Sequence, residues 1–214
     1  MAGLRGAALP TVRALDPQVP TGGHLFVRFA SSACHGYFGE GGVSKDVPAL
    51  RPLAKVLTAV QLRSYIYHGL GESKNPKKPY MPVWGAVISD AQIADLVAYI
   101  RAGLPRVEYA TPIPIPTTQG PAVAGRALFQ RYGCENCHGP NGHGGVPNPL
   151  SEDKIIPALA GKDFRKKFSD AQIMSIIRSG SVIGEAPVVS MPHWGGIIPD
   201  SQLRALVAYL KTLK

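Results

Sequence analysis

The sequence predicts an all-α protein that is built from two copies of one helical domain. Two observations predict this architecture: the 214-residue chain repeats itself, and the apolar residues that close each copy recur at the spacing of an amphipathic helix. Two copies of about a hundred residues each match the ordinary size of a domain. Alternation of apolar and polar residues, the pattern of a strand, is scarce.

The repeat is clearest at two places along the chain. With a shift of 103 residues, GGHLFVRF at 22–29 matches GRALFQRY at 125–132. With a shift of 110 residues, MPVWGAVI at 81–88 matches MPHWGGII at 191–198. The chain therefore carries the same set of elements twice.

We expect the chain to divide into four segments: an N-terminal arm (1–20), a first domain (21–104), a linker (105–120) and a second domain (121–214). The two domains are called the first half and the second half below. The stretch from 104 to 121 contains five prolines, so the linker is either extended and stiff or packed along the domains as a belt. The arm either lies on a partner or is disordered.

Each half is expected to contain an opening, a middle and a closing helix. A Ser or Thr followed three residues later by Gln marks three helix starts, at Thr58 and Gln61, Ser89 and Gln92, and Ser169 and Gln172. The closing helices have apolar residues at i, i+3, i+4 and i+7, namely Ile93, Leu96, Val97 and Ile100, and Leu203, Leu206, Val207 and Leu210.

The opening helices carry a small residue, Gly22 or Gly125, that suits a close crossing by another helix. Tyr99 and Tyr209 of the closing helices are the expected partners of the aromatic residues on the opening helices.

The segment CENCH at 134–138 contains the C-x-x-C-H pattern of c-type haem attachment. This spacing suits the chemistry because two thiols add to the vinyl groups of one porphyrin while the adjacent imidazole binds the iron. Cys134 and Cys137 are the expected thioether carriers, and His138 is the expected proximal ligand. A zinc site, even with His143 close by, would need a second Cys or His pair at a similar spacing, and a redox dithiol would need a βαβ context.

A second iron ligand distinguishes an electron carrier from a haem that binds small molecules. Met191 follows the attachment motif in the second half, and Met81 holds the matching place in the first half.

With these motifs, each half resembles a class I cytochrome c domain, and the whole chain resembles a tandem dihaem cytochrome c. The resemblance implies two haem c groups, one with its iron bound by His138 and Met191 and one with its iron bound by His35 and Met81. It also implies that a proline carbonyl orients each histidine and that the tryptophans of the M-P-x-W-G loops belong to the haem sites. These residues are Pro48, Pro157, Trp84 and Trp194.

The first half departs from the family pattern because it has Ser31 where the second half has Cys134. A hydroxyl is a much weaker nucleophile than a thiol, so the first haem is expected to be attached by one thioether, through Cys34. Two alternatives stay open: the first half is an empty, degenerate domain, or residue 31 is a substituted or misassigned position where the natural protein has cysteine.

The net charge of +9 favours encounters with acidic surfaces. Lys74, Lys77 and Lys78 precede Met81, and a second basic group spans 165–167. Both groups are candidate docking sites for an acidic redox partner, with a solvated surface as the alternative. Nucleic-acid binding is not expected because no recognised binding module is present.

These features predict a single-electron carrier, or the electron-transfer subunit of a respiratory or photosynthetic complex, without catalytic residues. The alternative is the cytochrome subunit of a thiosulfate, sulfite or alcohol dehydrogenase. The first residues lack an apolar core typical of an export signal. Haem attachment in the resembled family nevertheless implies a periplasmic protein or one on the outer face of the cytoplasmic membrane. His193, whose counterpart in the first half is Val83, is not required by the design that the two halves share.

Overall fold

The computed structural model describes residues 16–71, 78–108, 110–149, 151–181 and 191–214. Across these ranges the chain is helical, and the β-pairing consists of two isolated bridges, between Leu70 and Met81 and between Pro147 and Ile155. The predicted all-α class is confirmed.

The first half contains five α-helices, and the second half repeats them in the same order. The helices of the first half are α1 (Gln18–Arg28), α2 (Ser31–His35), α3 (Leu50–Val56), α4 (Ala59–His68) and α5 (Asp90–Arg101). Those of the second half are α6 (Pro121–Arg131), α7 (Cys134–His138), α8 (Lys162–Lys167), α9 (Asp170–Ser179) and α10 (Asp200–Leu210). Short 3-10 turns lie at Trp84–Ala86 and Pro140–Gly142.

The three predicted capping boxes are present. The side-chain oxygens of Thr58, Ser89 and Ser169 each accept a hydrogen bond from the backbone N–H three residues later, at 3.2, 3.3 and 3.3 Å. In each box the Gln side chain accepts a bond from the capping residue's N–H. A cap of this kind contributes about 1 kcal/mol to helix stability, which explains why these helices begin where the sequence predicts.

The opening and closing helices of each half cross in close contact at a glycine. A Cβ on Gly22 would lie 2.1 Å from the carbonyl oxygen of Asp95, and a Cβ on Gly125 would lie 2.0 Å from that of Ala205. Both distances are far shorter than any real contact, so only glycine permits this approach. The predicted close crossing is confirmed in both halves.

An aromatic pair packs at each of the same two helix crossings. The ring centroids of Phe26 and Tyr99 are 5.6 Å apart, and those of Phe129 and Tyr209 are 5.5 Å apart. These distances fall in the range of tilted, edge-on aromatic contacts. The two tyrosines are therefore the partners that the sequence predicts, and each lies in the hydrophobic cluster of its own half.

Four helices were not predicted. The helices α2 and α7 are single turns that carry the attachment motifs, and α3 and α8 precede the middle helices. They are too short to show a helical period in the sequence. In addition, α1 begins at Gln18, three residues before the expected start of the first domain.

The proline-rich segment packs against both halves. Val107 packs on the first hydrophobic cluster and Ile115 on the second. The Tyr37 hydroxyl donates to the carbonyl of Ala110, and Arg131 donates to the carbonyl of Ile113 at 3.4 Å. These contacts agree with a belt that packs along the domains rather than with a free linker. The domain boundaries themselves stay a prediction.

The two halves contact one another beside their attachment motifs. Arg28 Nε donates to Asn136 Oδ1 at 3.2 Å, and Asn136 Nδ2 donates to the Arg28 carbonyl at 2.8 Å. Ala30 of the first half is buried in the hydrophobic cluster of the second. Within the described ranges, no helix is both long and apolar enough to cross a bilayer.

Gly125→Ala tests the close helix crossing. The added methyl group would meet the Ala205 carbonyl, so we expect the free energy of unfolding to fall by about 1–3 kcal/mol, as overpacking does. At an open helix position the same change would raise it by up to about 1 kcal/mol, so the sign is diagnostic. Denaturant unfolding of the haem-loaded protein measures the effect. Arg126→Ala, on the exposed side of the same helix, is the control, and an unchanged or higher stability of the Gly125 variant would contradict the crossing.

Candidate haem sites

The attachment motif of the second half lies on the single-turn helix α7. The turn begins after Gly133, whose φ of 66° is in the left-handed region that favours glycine. Cys134, Cys137 and His138 follow on this turn and all three line one cavity, whereas His143 is an exposed side chain. The turn therefore directs the three residues of the motif to a common space.

His138 is held by a backbone contact. Its Nδ1 lies 3.3 Å from the carbonyl oxygen of Pro157, which accepts a hydrogen bond when that nitrogen is protonated. Burial lowers the pKa of the imidazole, and the contact with Pro157 opposes this shift. A neutral ring with a proton on Nδ1 leaves Nε2 free to bind a metal. The role of His138 as a ligand stays a prediction.

The space that these residues line, called the second-half cavity, has a volume of about 430 Å³. Its walls are largely apolar and include Met191 and the middle helix α9. The predicted site residues on its walls are Cys134, Cys137, His138, Pro157, Met191 and Trp194.

The first half repeats this arrangement with Ala30 in place of Gly133 and Ser31 in place of Cys134. The single-turn helix α2 follows Ala30, which takes the place of Gly133 with a φ of 58°. His35 Nδ1 lies 2.9 Å from the carbonyl oxygen of Pro48, and burial lowers the pKa of this imidazole as well, against the effect of that hydrogen bond.

The first-half cavity has a volume of about 410 Å³. The predicted site residues that line it are Ser31, Cys34, His35, Pro48, Met81 and Trp84. Ser31 therefore lines the first-half cavity at the position where Cys134 lines the second-half cavity.

The three cysteines are unpaired and half-buried. Burial raises the pKa of the Cys34 and Cys134 thiols to about 12, and that of Cys137 to about 11. The thiols are free of disulfides.

Both cavities fit the cofactor that the motifs imply. Their volumes lie within the range of roughly 300–1,000 Å³ that is usual for ligand and cofactor sites. Each brings together at least one thiol, a buried imidazole and a thioether on apolar walls. Two thiols line the second-half cavity and one lines the first-half cavity, which matches two thioethers in one site and a single thioether in the other.

The two cavities share walls. Trp84 and Trp194 each line both of them, and Pro192 of the second half also lines the first-half cavity. Trp194 packs against Tyr132 with ring centroids 5.4 Å apart, and Trp84 packs against Phe29 at 6.3 Å. The two indoles therefore lie between the cavities.

The methionine loops of the two halves also touch. The hydroxyl of Tyr80, next to Met81, donates a hydrogen bond to the backbone carbonyl of Met191. The ring centroids of Tyr80 and His193 lie 6.2 Å apart, with an angle of 60° between the ring planes. The first half thus holds the loop that carries the predicted ligand of the second half.

Sequence reasoning missed the roles of Tyr80 and His193. His193 lines the first-half cavity, although the design that the two halves share does not require it. The signal that could have found them is asymmetry between the copies, because the aligned positions hold Ser190 and Val83. Where two copies agree along a stretch but differ at one position, that position indicates a contact that only one of the copies makes.

The basic groups are only partly described. Lys78 is exposed, as are Lys166 and Lys167. Lys167 also lines the second-half cavity, and its Nζ lies 5.3 Å from the centroid of the Phe168 ring. Lys74, Lys77 and the side chain of Arg165 lie outside the described residues.

Tyr80→Phe tests the contact between the methionine loops. Without the hydroxyl the Met191 carbonyl loses its donor, so we expect the free energy of unfolding to fall by about 1 kcal/mol. With Met191 as the predicted ligand, the methionine-to-ferric-haem absorption band of the second half should weaken as well. Tyr65→Phe, which removes a hydroxyl from an exposed residue, is the control. Equal stability and equal band intensity in both variants would contradict a positioning role for Tyr80.

Two of the solved structures that match this chain align with nearly the whole of it. A reducing HAO-like protein complex of Kuenenia stuttgartiensis aligns at 16% identity over 94% of this chain and 98% of that chain, with a TM-score of 0.33. Reduced recombinant cytochrome c4 from Pseudomonas stutzeri aligns at 21% identity over 94% of this chain and 100% of that chain, with a TM-score of 0.29. No curated protein sequence matches this chain.

The family model described as cytochrome c oxidase, cbb3-type, subunit III matches the chain twice, at residues 18–100 and 120–210. Each match spans one half, from its opening helix to its closing helix. Covalently bound haem c and single-electron transfer are what a cytochrome c family implies. Because the two matches take in well over half of the chain, the protein belongs to the cbb3-type subunit III family of c-type cytochromes.

Proposed function

We propose that this protein binds two haem c groups and passes single electrons between redox partners. The observation that carries the proposal is the duplicated cavity, in which a thiol, a histidine held by a proline carbonyl, and a methionine face a common space. Bound haem supplies an iron that alternates between the ferric and ferrous states.

The histidines and methionines are the proposed axial ligands. In the second half these are His138 and Met191, and in the first half they are His35 and Met81. The carbonyls of Pro157 and Pro48 fix the orientation of each imidazole and increase its basicity. A methionine ligand and a largely apolar cavity both favour the reduced iron, which suits a carrier of relatively high potential.

Cys134 and Cys137 are the proposed attachment residues of the second haem, and Cys34 alone that of the first. Ser31 lines the first-half cavity, but its hydroxyl does not add to a vinyl group under the conditions in which a thiol does. The presence of His35, Met81 and a cavity of about 410 Å³ supports a retained first haem rather than an empty domain.

Trp84 and Trp194 support electron exchange between the two sites. Because each indole lines both cavities, the shortest route between them passes beside these rings. The two sites would then work as one unit, with one receiving and the other donating an electron.

The partners are proposed to be redox proteins with acidic docking surfaces. The net charge of +9 would draw such partners to the protein at an enhanced rate. The same arrangement serves a free carrier or a subunit of a membrane-bound respiratory complex. We place the protein in the periplasm or on the outer face of the cytoplasmic membrane, where haem is attached to proteins of this kind.

A pyridine haemochrome spectrum with an intact mass tests the two haems and their attachment. We expect the mass of the chain plus two haems, and a spectrum in which one of them shows the red-shifted band of a remaining vinyl group. Ser31→Cys should abolish the red-shifted component at an unchanged haem count, because it supplies the missing thiol.

Cys134→Ser is the matched variant, since it creates the one-thiol motif in the second half. It should increase the red-shifted component. A mass with a single haem would contradict the dihaem proposal, and a red-shifted component that persists in Ser31→Cys would contradict the role given to residue 31.

Exposure of the reduced protein to carbon monoxide separates a carrier from an enzyme. With methionine in the sixth position of both irons, we expect an unchanged spectrum and no reduction of the isolated chain by thiosulfate, sulfite or alcohols. Met191→Ala opens one site and should bind carbon monoxide, which serves as the positive control. Fast carbon monoxide binding by the unmodified protein, or its reduction by one of these donors, would favour a dehydrogenase subunit.

A further inference from the structure

His193 belongs to the second half but lines the cavity of the first. The M-P-x-W-G loops place it two residues after Met191, where the first half has Val83 after Met81. Val83 is not among the described residues on the walls of the second-half cavity, so the relation is not reciprocal. A single position therefore makes the first-half cavity different from its copy.

A polar atom of this side chain is buried without a partner. His193 Nδ1 is shielded from solvent and makes no hydrogen bond to another residue that the structure describes, and the one group that acts on the imidazole as a hydrogen-bond partner is the backbone of His193 itself. Leaving such a nitrogen unpaired costs about 1–3 kcal/mol, and most buried polar groups in proteins have a partner. A bound group that pairs with the imidazole, directly or after the ring turns, would remove this cost.

Besides its two histidines, the described walls of the first-half cavity offer an anion only neutral donors, namely the hydroxyls of Ser31, Tyr65 and Tyr80 and the indole N–H groups of Trp84 and Trp194. Among the described residues on its walls there is no Lys or Arg, and one of them, Asp46, carries a carboxylate. His35 contacts the Pro48 carbonyl, and the Tyr80 hydroxyl donates to the Met191 carbonyl. By contrast, Lys167 lines the second-half cavity. Haem brings two propionate carboxylates, which need hydrogen-bond donors where they are shielded from water.

We propose that the imidazole of His193 donates a hydrogen bond to a propionate of the haem in the first-half cavity, so that the second half completes the binding site of the first. This inference rests on the proposed binding of two haems. With this hydrogen bond, His193 makes the haem site of the first half different from the otherwise similar site of the second half.

The consequence is a difference in reduction potential. A propionate carboxylate close to the iron favours the ferric state, and a donor on that carboxylate disperses its charge. His193 therefore raises the potential of the first haem and leaves that of the second unchanged.

Spectroelectrochemistry of the haem-loaded protein at one fixed pH tests this inference. The single-thioether haem has its own absorption band, so the two potentials can be followed separately. His193→Val, which copies Val83, should lower the potential of the first haem. His193→Gln, which keeps an N–H donor, should recover part of the shift. Val83→Ala, at the matching position of the first half, is the control and should leave the second haem's potential unchanged.

Three outcomes would overturn the inference. The first is an unchanged potential of the first haem in His193→Val, and the second is an equal shift of both haems, which would assign the effect to the Met191 loop. The third is an intact mass of the unmodified protein that corresponds to a single haem. This outcome would also overturn the proposed function, and the mass alone distinguishes it from the other two. Haem content and circular dichroism of each variant establish that it is folded.

Discussion

The close approach of the opening and closing helices is the constraint on which the rest of each half depends. Gly22 and Gly125 allow one helix to touch the backbone of the other, since a Cβ at either position would lie about 2 Å from a carbonyl oxygen. The opening helix leads directly into the attachment motif, and the methionine loop leads directly into the closing helix. The crossing therefore fixes histidine and methionine on the walls of the same cavity, although they lie more than forty residues apart in the chain.

The second level of organisation is the contact between the halves, which is made by the parts that carry the candidate ligands. Tyr80 reaches the Met191 carbonyl, and Arg28 and Asn136 join the regions of the attachment motifs. Trp84 and Trp194 line both cavities. Direct contacts therefore join the two cavities, and the two sites form one structural unit.

The fold was predictable because the sequence patterns that indicate it each lie within a few residues or occur in both halves. The capping boxes, the closing helices and the crossing glycines are each encoded within a few residues, and the repeat confirms them by showing them twice. The cytochrome c family predicted from the CENCH motif and Met191 is confirmed by the match to both halves. Asymmetry between the copies marks Tyr80 and His193 in the sequence, but the contacts that they make were not predictable, because neither copy alone shows how the two copies dock. Single-turn helices such as α2 likewise leave no period to detect.

Ala30 shows what this docking demands of the chain. It takes up a left-handed conformation with a φ of 58°, where the second half has Gly133 at 66°, and for an alanine this conformation costs roughly 1–2 kcal/mol. Its methyl group is buried in the hydrophobic cluster of the second half, and burying a group of that size returns about 0.8 kcal/mol. The burial offsets part of this strain while the halves are joined and none of it when they are apart. The first half therefore loses a small part of its stability when it is separated from its copy.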